Sequence, residues 1–209
     1  MAFMWLSAKS PSLASAKEVT HMIIKALKFG GLTAFAMAVA FGAYFLAIQA
    51  TGNFYAVVPG ELYRSNQPTA SQVADYTQRY GIKTIVNLRG SSEDAAWYKD
   101  EVATAAALGV NHIDFRMSAS QQLTLEESQK LVALLRDAPK PILIHCLSGA
   151  DRTGLASAIY LHQIAKVKED TAERQLSIRF GHLSIPFLSP AYAMDENWEN
   201  LEKSFNTAG

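Results

Sequence analysis

A single cysteine stands between a predicted strand and a predicted helix, and the residues around it could form an anion-binding loop. The apolar run Ile142–Ile144, which suits a buried strand, leads directly to His145 and Cys146, and the helical run Leu155–Ala165 follows shortly afterwards. A strand, a loop of small residues and a helix together direct several backbone N–H groups and a helix N-terminus towards one anion. The sequence therefore predicts an anion site at this loop.

The spacing of Cys146 and Arg152 indicates the chemistry of that site. Five residues separate them, so a loop curled around a phosphate can place the sulfur beneath it and the guanidinium beside it. The planar fork of arginine matches two phosphate oxygens, and Gly149 lets the backbone turn inward without a Cβ clash. The helix dipole, the N–H groups and Arg152 all favour the thiolate form of Cys146. A thiolate within reach of a phosphate is a nucleophile for phosphoryl transfer through a phosphocysteine.

The residue order across this loop resembles a known signature. His145-Cys146, five residues and then Arg152-Thr153-Gly154 is similar to the signature loop of the cysteine-based tyrosine and dual-specificity phosphatases. The run Tyr63–Pro68 and the run Asn87–Arg89 are also familiar from bacterial and fungal relatives of the dual-specificity enzymes. The resemblance covers roughly residues 54–188, and it implies phosphomonoester hydrolysis with no metal and no cofactor.

The resemblance also implies a role for each residue of the loop. Cys146 would be the nucleophile, and Thr153 would donate a hydrogen bond to its sulfur as the phosphocysteine breaks down. A hydroxyl that only caps the helix is the alternative for Thr153. The residues expected around the substrate phosphate are Leu147, Ser148, Gly149, Ala150, Asp151 and Arg152.

Two further residues are candidates for supporting this loop. His145 directly precedes the nucleophile. Arg89 ends the familiar run Asn87–Arg89, and it either supports the phosphate loop from beneath or is a surface arginine with a salt-bridge partner. The sequence leaves both readings open.

The general acid is harder to place. Most relatives carry an aspartate on a mobile loop before the signature strand, but the corresponding loop Met117–Gln122 has no carboxylate. Asp151 is the favoured candidate, because it resembles the loop aspartate of the myotubularins; a structural acceptor that holds the loop's shape is its alternative. Asp114 is the next candidate, with a pairing to Arg116 as its alternative. The acids Glu126–Glu127 open a predicted helix, where carboxylates are expected for dipole reasons alone.

Short apolar strands alternate with helices between residues 54 and 209, which predicts an α/β fold with a central, mostly parallel sheet flanked by helices. The resemblance implies the dual-specificity phosphatase version of this fold, with the active loop at the carboxyl end of a strand. The predicted strands are Phe54–Val58, Leu62–Arg64, Thr84–Leu88, Asn111–Phe115 and Ile142–Ile144. The predicted helices are Ala70–Tyr80, Glu93–Leu108, Thr124–Asp137, Leu155–Ala165, Asp170–Phe180 and Ala191–Phe205.

Ahead of this domain, the segment Phe29–Ile48 is apolar almost throughout. About 20 helical residues cover a hydrocarbon core of roughly 30 Å, so the segment is expected to form one transmembrane helix. A buried core helix and a cleaved signal peptide ending near Ala50 are the alternatives. The expected organisation is a basic N-terminal segment at 1–28, a transmembrane signal anchor at 29–50 and a phosphatase domain at 54–209.

The charges before the apolar segment predict its orientation. Four lysines precede it against one glutamate, and positive residues stay on the cytoplasmic side of a membrane. The N-terminus is therefore expected in the cytoplasm, with the catalytic domain periplasmic and the helix in the inner membrane. The four lysines are Lys9, Lys17, Lys25 and Lys28.

Composition excludes several other classes. Lys plus Arg and Asp plus Glu both number 19, so no net field attracts nucleic acid. One cysteine allows no intramolecular disulfide, and the five histidines show no zinc-site spacing.

Three functions compete at this point. The first is a membrane-anchored phosphatase of phosphoproteins, with phosphotyrosine as the default substrate. The second is a phosphatase of lipid or inositol phosphates, which the variant loop residues Gly149–Thr153 and the membrane anchor favour. The third is an inactive phosphate-binding membrane module, against which the intact Cys146 and Arg152 argue.

Overall fold

The computed structural model describes residues 13–207, so residues 1–12 of the predicted N-terminal segment lie outside the described part. The helices are α1 (Leu13–Ala50), α2 (Ala70–Tyr80), α3 (Ala96–Ala107), α4 (Leu125–Asp137), α5 (Asp151–Gln163), α6 (Glu169–Glu173) and α7 (Tyr192–Thr207). The strands are β1 (Tyr55–Val58), β2 (Leu62–Ser65), β3 (Thr84–Asn87), β4 (Asn111–Asp114) and β5 (Ile142–His145). A 3₁₀ turn covers Ile178–Phe180.

The five strands form one sheet in the order β1-β2-β5-β3-β4. β1 and β2 form an antiparallel hairpin, and the remaining pairs are parallel. The last residue of β5, His145, lies opposite Ser65 on β2 and Asn87 on β3. Because parallel strands end at the same edge, the loops after β2, β3 and β5 meet there. The predicted α/β fold with a mostly parallel sheet is confirmed.

Alternating residues of the central strand β5 pack into two hydrophobic cores. Ile142 and Ile144 face the larger core, where α4, α5 and α7 contribute buried side chains. Leu143 faces the smaller core, formed with α2 and α3. Every residue of β5 is inaccessible to solvent, which agrees with the continuous apolar run Ile142–Ile144. The strand that carries the cysteine loop is thus held on both faces.

Helix α1 reaches from the basic segment through the predicted span as one continuous helix. Its stretch Glu18–Ala50 is long and apolar enough to cross a membrane. Large apolar side chains along it, such as Phe29 and Leu32, are exposed, unlike those of a buried core helix. The chain divides into two compact units, Met1–Leu46 and Ala47–Gly209, so the second unit begins a few residues before the predicted domain start at 54.

The predicted helix Asp170–Phe180 is wrong as a single element. The chain instead forms the short helix α6, an irregular stretch and the 3₁₀ turn Ile178–Phe180. The backbone carbonyl of Gln175 accepts a hydrogen bond of 3.0 Å from the buried Arg64 guanidinium. A carbonyl turned towards this long-range partner is not available to continue a helix.

Candidate active site

Cys146 follows the last residue of β5 and lies at the base of the loop that leads into α5. Because side chains alternate along a strand, Cys146 packs with the larger core while His145 points to the opposite face. The sulfur is a free thiol with only 2% of the residue exposed. The cysteine is thus almost completely shielded from bulk solvent.

The first carbonyl groups of the loop are held on its outer side. The backbone N–H of Gln67 donates to the carbonyl oxygen of Leu147 at 3.2 Å. The side-chain amides of Gln49 and Asn53 both donate to the carbonyl oxygen of Ser148 at 3.0 Å. Three donors from outside the loop therefore fix these two peptide groups.

Arg64 holds the next two carbonyl groups. Its Nη2 donates to the carbonyl oxygens of Gly149 at 2.7 Å and Ala150 at 3.3 Å. Its Nη1 donates to the side chain of Gln175 at 2.8 Å, and the guanidinium stacks 4.0 Å from the ring centre of Phe180. Arg64 is inaccessible to solvent. This arginine is a structural clamp behind the phosphate loop, a role that the Tyr63–Pro68 resemblance did not specify.

The backbone N–H groups of the loop point in the direction opposite to its carbonyl groups. A peptide's carbonyl and N–H lie on opposite sides, so outward carbonyls turn the N–H groups inward. Among residues 13–207, the N–H groups of Ser148 and Gly149, which share peptide planes with the held carbonyls of Leu147 and Ser148, have no hydrogen-bond acceptor, while the N–H of Ala150 donates to Ser148 Oγ at 3.4 Å. Helix α5 begins at Asp151 and adds the positive end of its dipole. The loop is therefore preorganised to bind an anion above Cys146.

The side chain of Arg152 is held at the rim of this cradle. Its Nη1 lies 3.5 Å from the carbonyl oxygens of Leu88 and Met117, which follow β3 and β4 at the same sheet edge. Burial lowers the pKa of Arg89, and the positive charge of Arg152 lowers it further. The structure thus brings a second guanidinium close to Arg152.

The contacts of Arg89 distinguish between its two predicted roles, support of the phosphate loop and a surface salt bridge. Its Nη1 donates to Gln67 Oε1 at 2.7 Å, and its guanidinium lies 3.6 Å from the ring centre of Trp97. It has no carboxylate partner among the described residues, so the salt-bridge reading is not supported. The backbone N–H of Gln67 donates to the carbonyl oxygen of Leu147, so Gln67 links Arg89 to the phosphate loop.

A buried carboxylate that sequence reasoning missed lies behind the loop. Glu101 on α3 lies 3.1 Å from Nε2 of His145 and 2.7 Å from Nε2 of His112, and it accepts a hydrogen bond from Gln67. Burial raises the pKa of Glu101, but the hydrogen bonds with His112 and His145 outweigh burial and lower it to about 2. His145 thus anchors the strand before Cys146, and only the long-range packing of α3 could have revealed its partner.

Asp151, the favoured general acid, is paired with a second histidine. Its Oδ1 lies 2.7 Å from Nδ1 of His182, whose Nε2 lies 3.0 Å from Asp195 on α7. Burial lowers the pKa of His182, but hydrogen bonds to Asp151 and Asp195 outweigh burial and raise it to about 9. A carboxylate oxygen held by a buried histidine at this distance ties the loop to the segment that precedes α7. This geometry favours the alternative reading of Asp151 as an acceptor that holds the loop's shape.

The other candidates for the acid make contacts with groups outside the loop. Asp114 is exposed, and it accepts hydrogen bonds from Asn87 at 2.8 Å and from the hydroxyl of Tyr98. The hydrogen bond to Asp114 raises the pKa of Tyr98 to about 12. The suggested pairing with Arg116 is wrong, since Arg116 donates to a backbone carbonyl instead. Of the Glu126–Glu127 pair, Glu127 forms a capping box with Thr124 at the start of α4, and Glu126 pairs with Lys130.

Thr153 is buried, and its hydroxyl has no hydrogen-bond partner among the described residues. It therefore makes neither the bond to the Cys146 sulfur nor the helix-capping bond in this structure, and its role in the second step stays a prediction. No group of three or more His, Cys, Asp or Glu side chains among residues 13–207 is arranged to hold a metal ion.

Gly149 offers a direct test of the loop's shape. Its φ is +71°, and a Cβ there would lie 2.6 Å from the backbone of Ser65 and Asn66. We expect Gly149→Ala to push the loop out of register and lower kcat/KM by roughly 10²-fold, the scale of a 1 Å misplacement. Gly109→Ala is the matched control, because its φ is +69° but a Cβ there meets nothing within 4 Å. Equal activities of the two variants would contradict the tight contact.

The His182 bridge predicts a pH-dependent contribution to stability. Because folding raises the pKa of His182 from 6.5 to about 9, its stabilising effect is complete below about pH 6.5 and is lost as the pH rises through 9. We expect His182→Gln to lower the free energy of unfolding by about 1–3 kcal/mol at pH 6, since buried acceptors lose their partner. Denaturant unfolding of both proteins across this range checks the result. A difference that does not shrink towards pH 9 would exclude a charged His182.

Comparisons with known proteins agree with this geometry. The chain is 34% identical over 114 residues to the dual specificity protein phosphatase TpbA of Pseudomonas aeruginosa. This match covers 54% of the chain and 48% of TpbA, so the chain spans about half the length of that curated relative. The crystal structure of P. aeruginosa TpbA matches with a TM-score of 0.52 at 24% identity, covering 73% of this chain and 92% of that one. The catalytic core of the PP-IP phosphatase SIW14 from S. cerevisiae matches with a TM-score of 0.54 at 21% identity, over 75% and 91% respectively. Both likenesses concern the fold. A sequence profile of the tyrosine phosphatase family matches residues 47–175, more than half of the sequence, and the chain therefore belongs to the tyrosine phosphatase family.

Proposed function

We propose that the chain hydrolyses phosphomonoesters through a phosphocysteine formed on Cys146. The observation that carries this proposal is the loop itself, where outside donors hold the carbonyls of residues 147–150 and leave the N–H groups facing inward. In the first step the Cys146 thiolate attacks phosphorus, and the ester oxygen leaves as an alcohol or phenol after protonation. In the second step water attacks the phosphocysteine, which releases inorganic phosphate and restores the thiolate. Arg152 and the N–H groups stabilise the charge on the transferred phosphoryl group.

Phosphotyrosine in proteins is the proposed substrate class. Arg152 is the only cationic side chain of the loop residues 147–152, and Leu147 and Asp151 add an apolar and an acidic group. A densely charged inositol phosphate needs several cationic side chains to bind its phosphate groups. An aryl phosphate needs one guanidinium to bind its phosphate group and an apolar side chain beside its ring. A TpbA variant has been crystallised with pTyr, which supports the same class for this chain.

Lipid or inositol phosphates remain the second candidate. The fold likeness to the PP-IP phosphatase SIW14 and the proposed membrane anchor favour them. An inactive phosphate-binding module is the third candidate. The presence of both the nucleophile Cys146 and the phosphate-binding Arg152 in one preorganised loop argues against it.

Two assays separate these functions. Hydrolysis of a generic aryl phosphate by the full chain distinguishes an enzyme from an inactive module. A side-by-side comparison of phosphotyrosine peptides with phosphoinositides in the same detergent then ranks the two substrate classes. We expect the higher kcat/KM for the peptides, and a higher value for the phosphoinositides would favour the second candidate.

Asp151 can be tested as the general acid by the nature of the leaving group. An acid matters most for poor leaving groups, where it contributes roughly 10²–10⁴-fold. Because Asp151 faces His182, we expect Asp151→Asn to slow alkyl and activated aryl phosphates by similar factors, as a change in loop shape would. A much larger loss on the alkyl phosphate would restore the acid role. If the losses are similar, Asp114→Asn is the next variant to compare.

We also propose that α1 anchors the protein in the inner membrane, with the catalytic domain in the periplasm. The apolar stretch within Glu18–Ala50 and the lysines ahead of it support this topology. Phosphorylated proteins at the periplasmic face are then the expected partners. An alkaline phosphatase fused to the C-terminus is expected to be active, because that reporter requires the periplasm. An inactive fusion in a membrane-bound protein would reverse the orientation.

A further inference from the structure

The segment Leu183–Leu188, between the 3₁₀ turn and α7, exposes most of its apolar side chains. Phe187 is 89% exposed and Leu188 is 80% exposed, and Leu183 and Ile185 are about half exposed, at 46% and 48%. The backbone of Phe187 adopts a φ of +61°, which bulky residues rarely do. Strained, exposed apolar residues that cluster on one segment are typical of an interaction surface.

The chemistry of this segment fits a lipid surface. From residue 183 to residue 194 the sequence has no Asp, Glu, Lys or Arg. The Tyr192 ring lies 5.4 Å from the Phe187 ring, between centres, and adds the amphipathic side chain that is enriched at membrane interfaces. The exposed Arg179 precedes the segment and suits anionic headgroups. An uncharged apolar tip with an aromatic and a cationic flank is the pattern of an interfacial segment.

The residue Phe180, just before the segment, contacts residues that follow α1 in the chain. Nδ2 of Asn53 donates to the carbonyl oxygen of Phe180 at 2.8 Å, and the rings of Tyr55 and Phe180 lie 5.0 Å apart. Asn53 and Tyr55 come directly after α1, the proposed anchor. Since Phe180 comes just before the segment, the segment starts beside the residues through which the chain leaves the anchor. His182, two residues after Phe180, contacts Asp151 of the phosphate loop.

We propose that Leu183–Leu188 inserts its apolar side chains into the bilayer interface and docks the catalytic unit on the membrane surface. The docking rests on the membrane anchor proposed above. Phe187 and Leu188 enter the headgroup–acyl boundary, while Arg179 contacts lipid phosphates. Because the segment is joined to the phosphate loop through His182 and Asp151, docking holds the catalytic loop near the bilayer, where it meets phosphate esters close to the membrane surface.

A dye attached at the tip of the segment tests the docking. In the full chain with Cys146→Ser, Phe187→Cys provides one cysteine for an environment-sensitive nitrobenzoxadiazole label. Lys99→Cys, at an exposed position on α3, is the matched control in the same background. Both labelled proteins are reconstituted into vesicles of phosphatidylcholine and phosphatidylglycerol, with or without lipids that carry a shallow nitroxide quencher. Flotation of the vesicles first shows whether the chain is anchored.

The expected result is a blue-shifted emission at position 187 that lipid-borne nitroxide quenches, with neither effect at position 99. A floating chain whose two labels behave alike would overturn the docking and leave the anchor intact. A blue shift at 187 that lipid nitroxide does not quench, and that grows with the protein-to-lipid ratio, would assign the segment to a second copy and overturn the proposal. A chain that does not float would overturn the anchor, and the docking with it.

Discussion

Replacement of Cys146 by serine is expected to abolish turnover and to leave the binding of a phosphate mimic largely intact. A serine hydroxyl stays protonated near neutral pH and is a poor nucleophile, so we expect a loss of roughly 10⁴-fold or more, as for other nucleophiles of covalent catalysis. The N–H cradle and Arg152 do not depend on the sulfur, because their contacts are to Gln67, Arg64, Leu88 and other groups around the loop. Hydrolysis of an aryl phosphate and calorimetric titration with tungstate measure the two properties separately.

The binding measurement is also the control for folding. A Cys146→Ser protein that binds tungstate like the parent has an intact loop, so its lost activity belongs to the sulfur. Turnover near the parent rate would exclude Cys146 as the nucleophile. Loss of tungstate binding would show that the sulfur is needed to shape the N–H cradle. That result would contradict the expectation that the surrounding hydrogen-bond donors hold the cradle without the sulfur.

The conservative change Arg152→Lys is expected to lower kcat/KM by roughly 10²–10³-fold, the cost of removing a donor aimed at transition-state charge. Lysine keeps the positive charge but lacks the planar fork that binds two phosphate oxygens. Lysine also cannot reproduce the placement of the guanidinium between the carbonyls of Leu88 and Met117. Tungstate binding is expected to weaken in parallel.

Arg89→Lys is the matched control for this prediction. Arg89 is a neighbouring arginine that contacts Gln67 and Trp97, so its substitution removes a similar fork from a position outside the loop. We expect a smaller loss than for Arg152→Lys. Equal losses in the two variants would show that the effect is not specific to the guanidinium that faces the phosphate, and would contradict bidentate binding by Arg152.

The features that the sequence predicted are those encoded by contiguous residues. The strand, loop and helix from Ile142 to Gly154 follow one another directly, and their apolar run, small residues and spacing are legible without tertiary contacts. The predicted strands Phe54–Val58 and Leu62–Arg64 and the predicted helix Thr124–Asp137 are likewise set by neighbours within a few residues. This local encoding is why the phosphate loop and the fold class were predictable.

The features that the sequence did not predict depend on contacts between distant residues. Arg64 and the Gln175 carbonyl are 111 positions apart, and their hydrogen bond ends the predicted helix Asp170–Phe180 early. Glu101 is 44 positions from His145, and no local pattern marks its carboxylate as buried. His182 was one of several scattered histidines until the fold placed it beside Asp151, where it changes the expected role of that residue.

The central claim, a phosphocysteine on Cys146, is tested most directly by trapping the intermediate. The full chain is mixed with an aryl phosphate, quenched in acid within its first turnovers, digested and analysed by mass spectrometry. We predict that the peptide containing Cys146 carries the mass of one phosphoryl group, lost on longer incubation before the quench. Turnover without phosphoryl on that peptide, or phosphoryl on a different residue, would contradict the account.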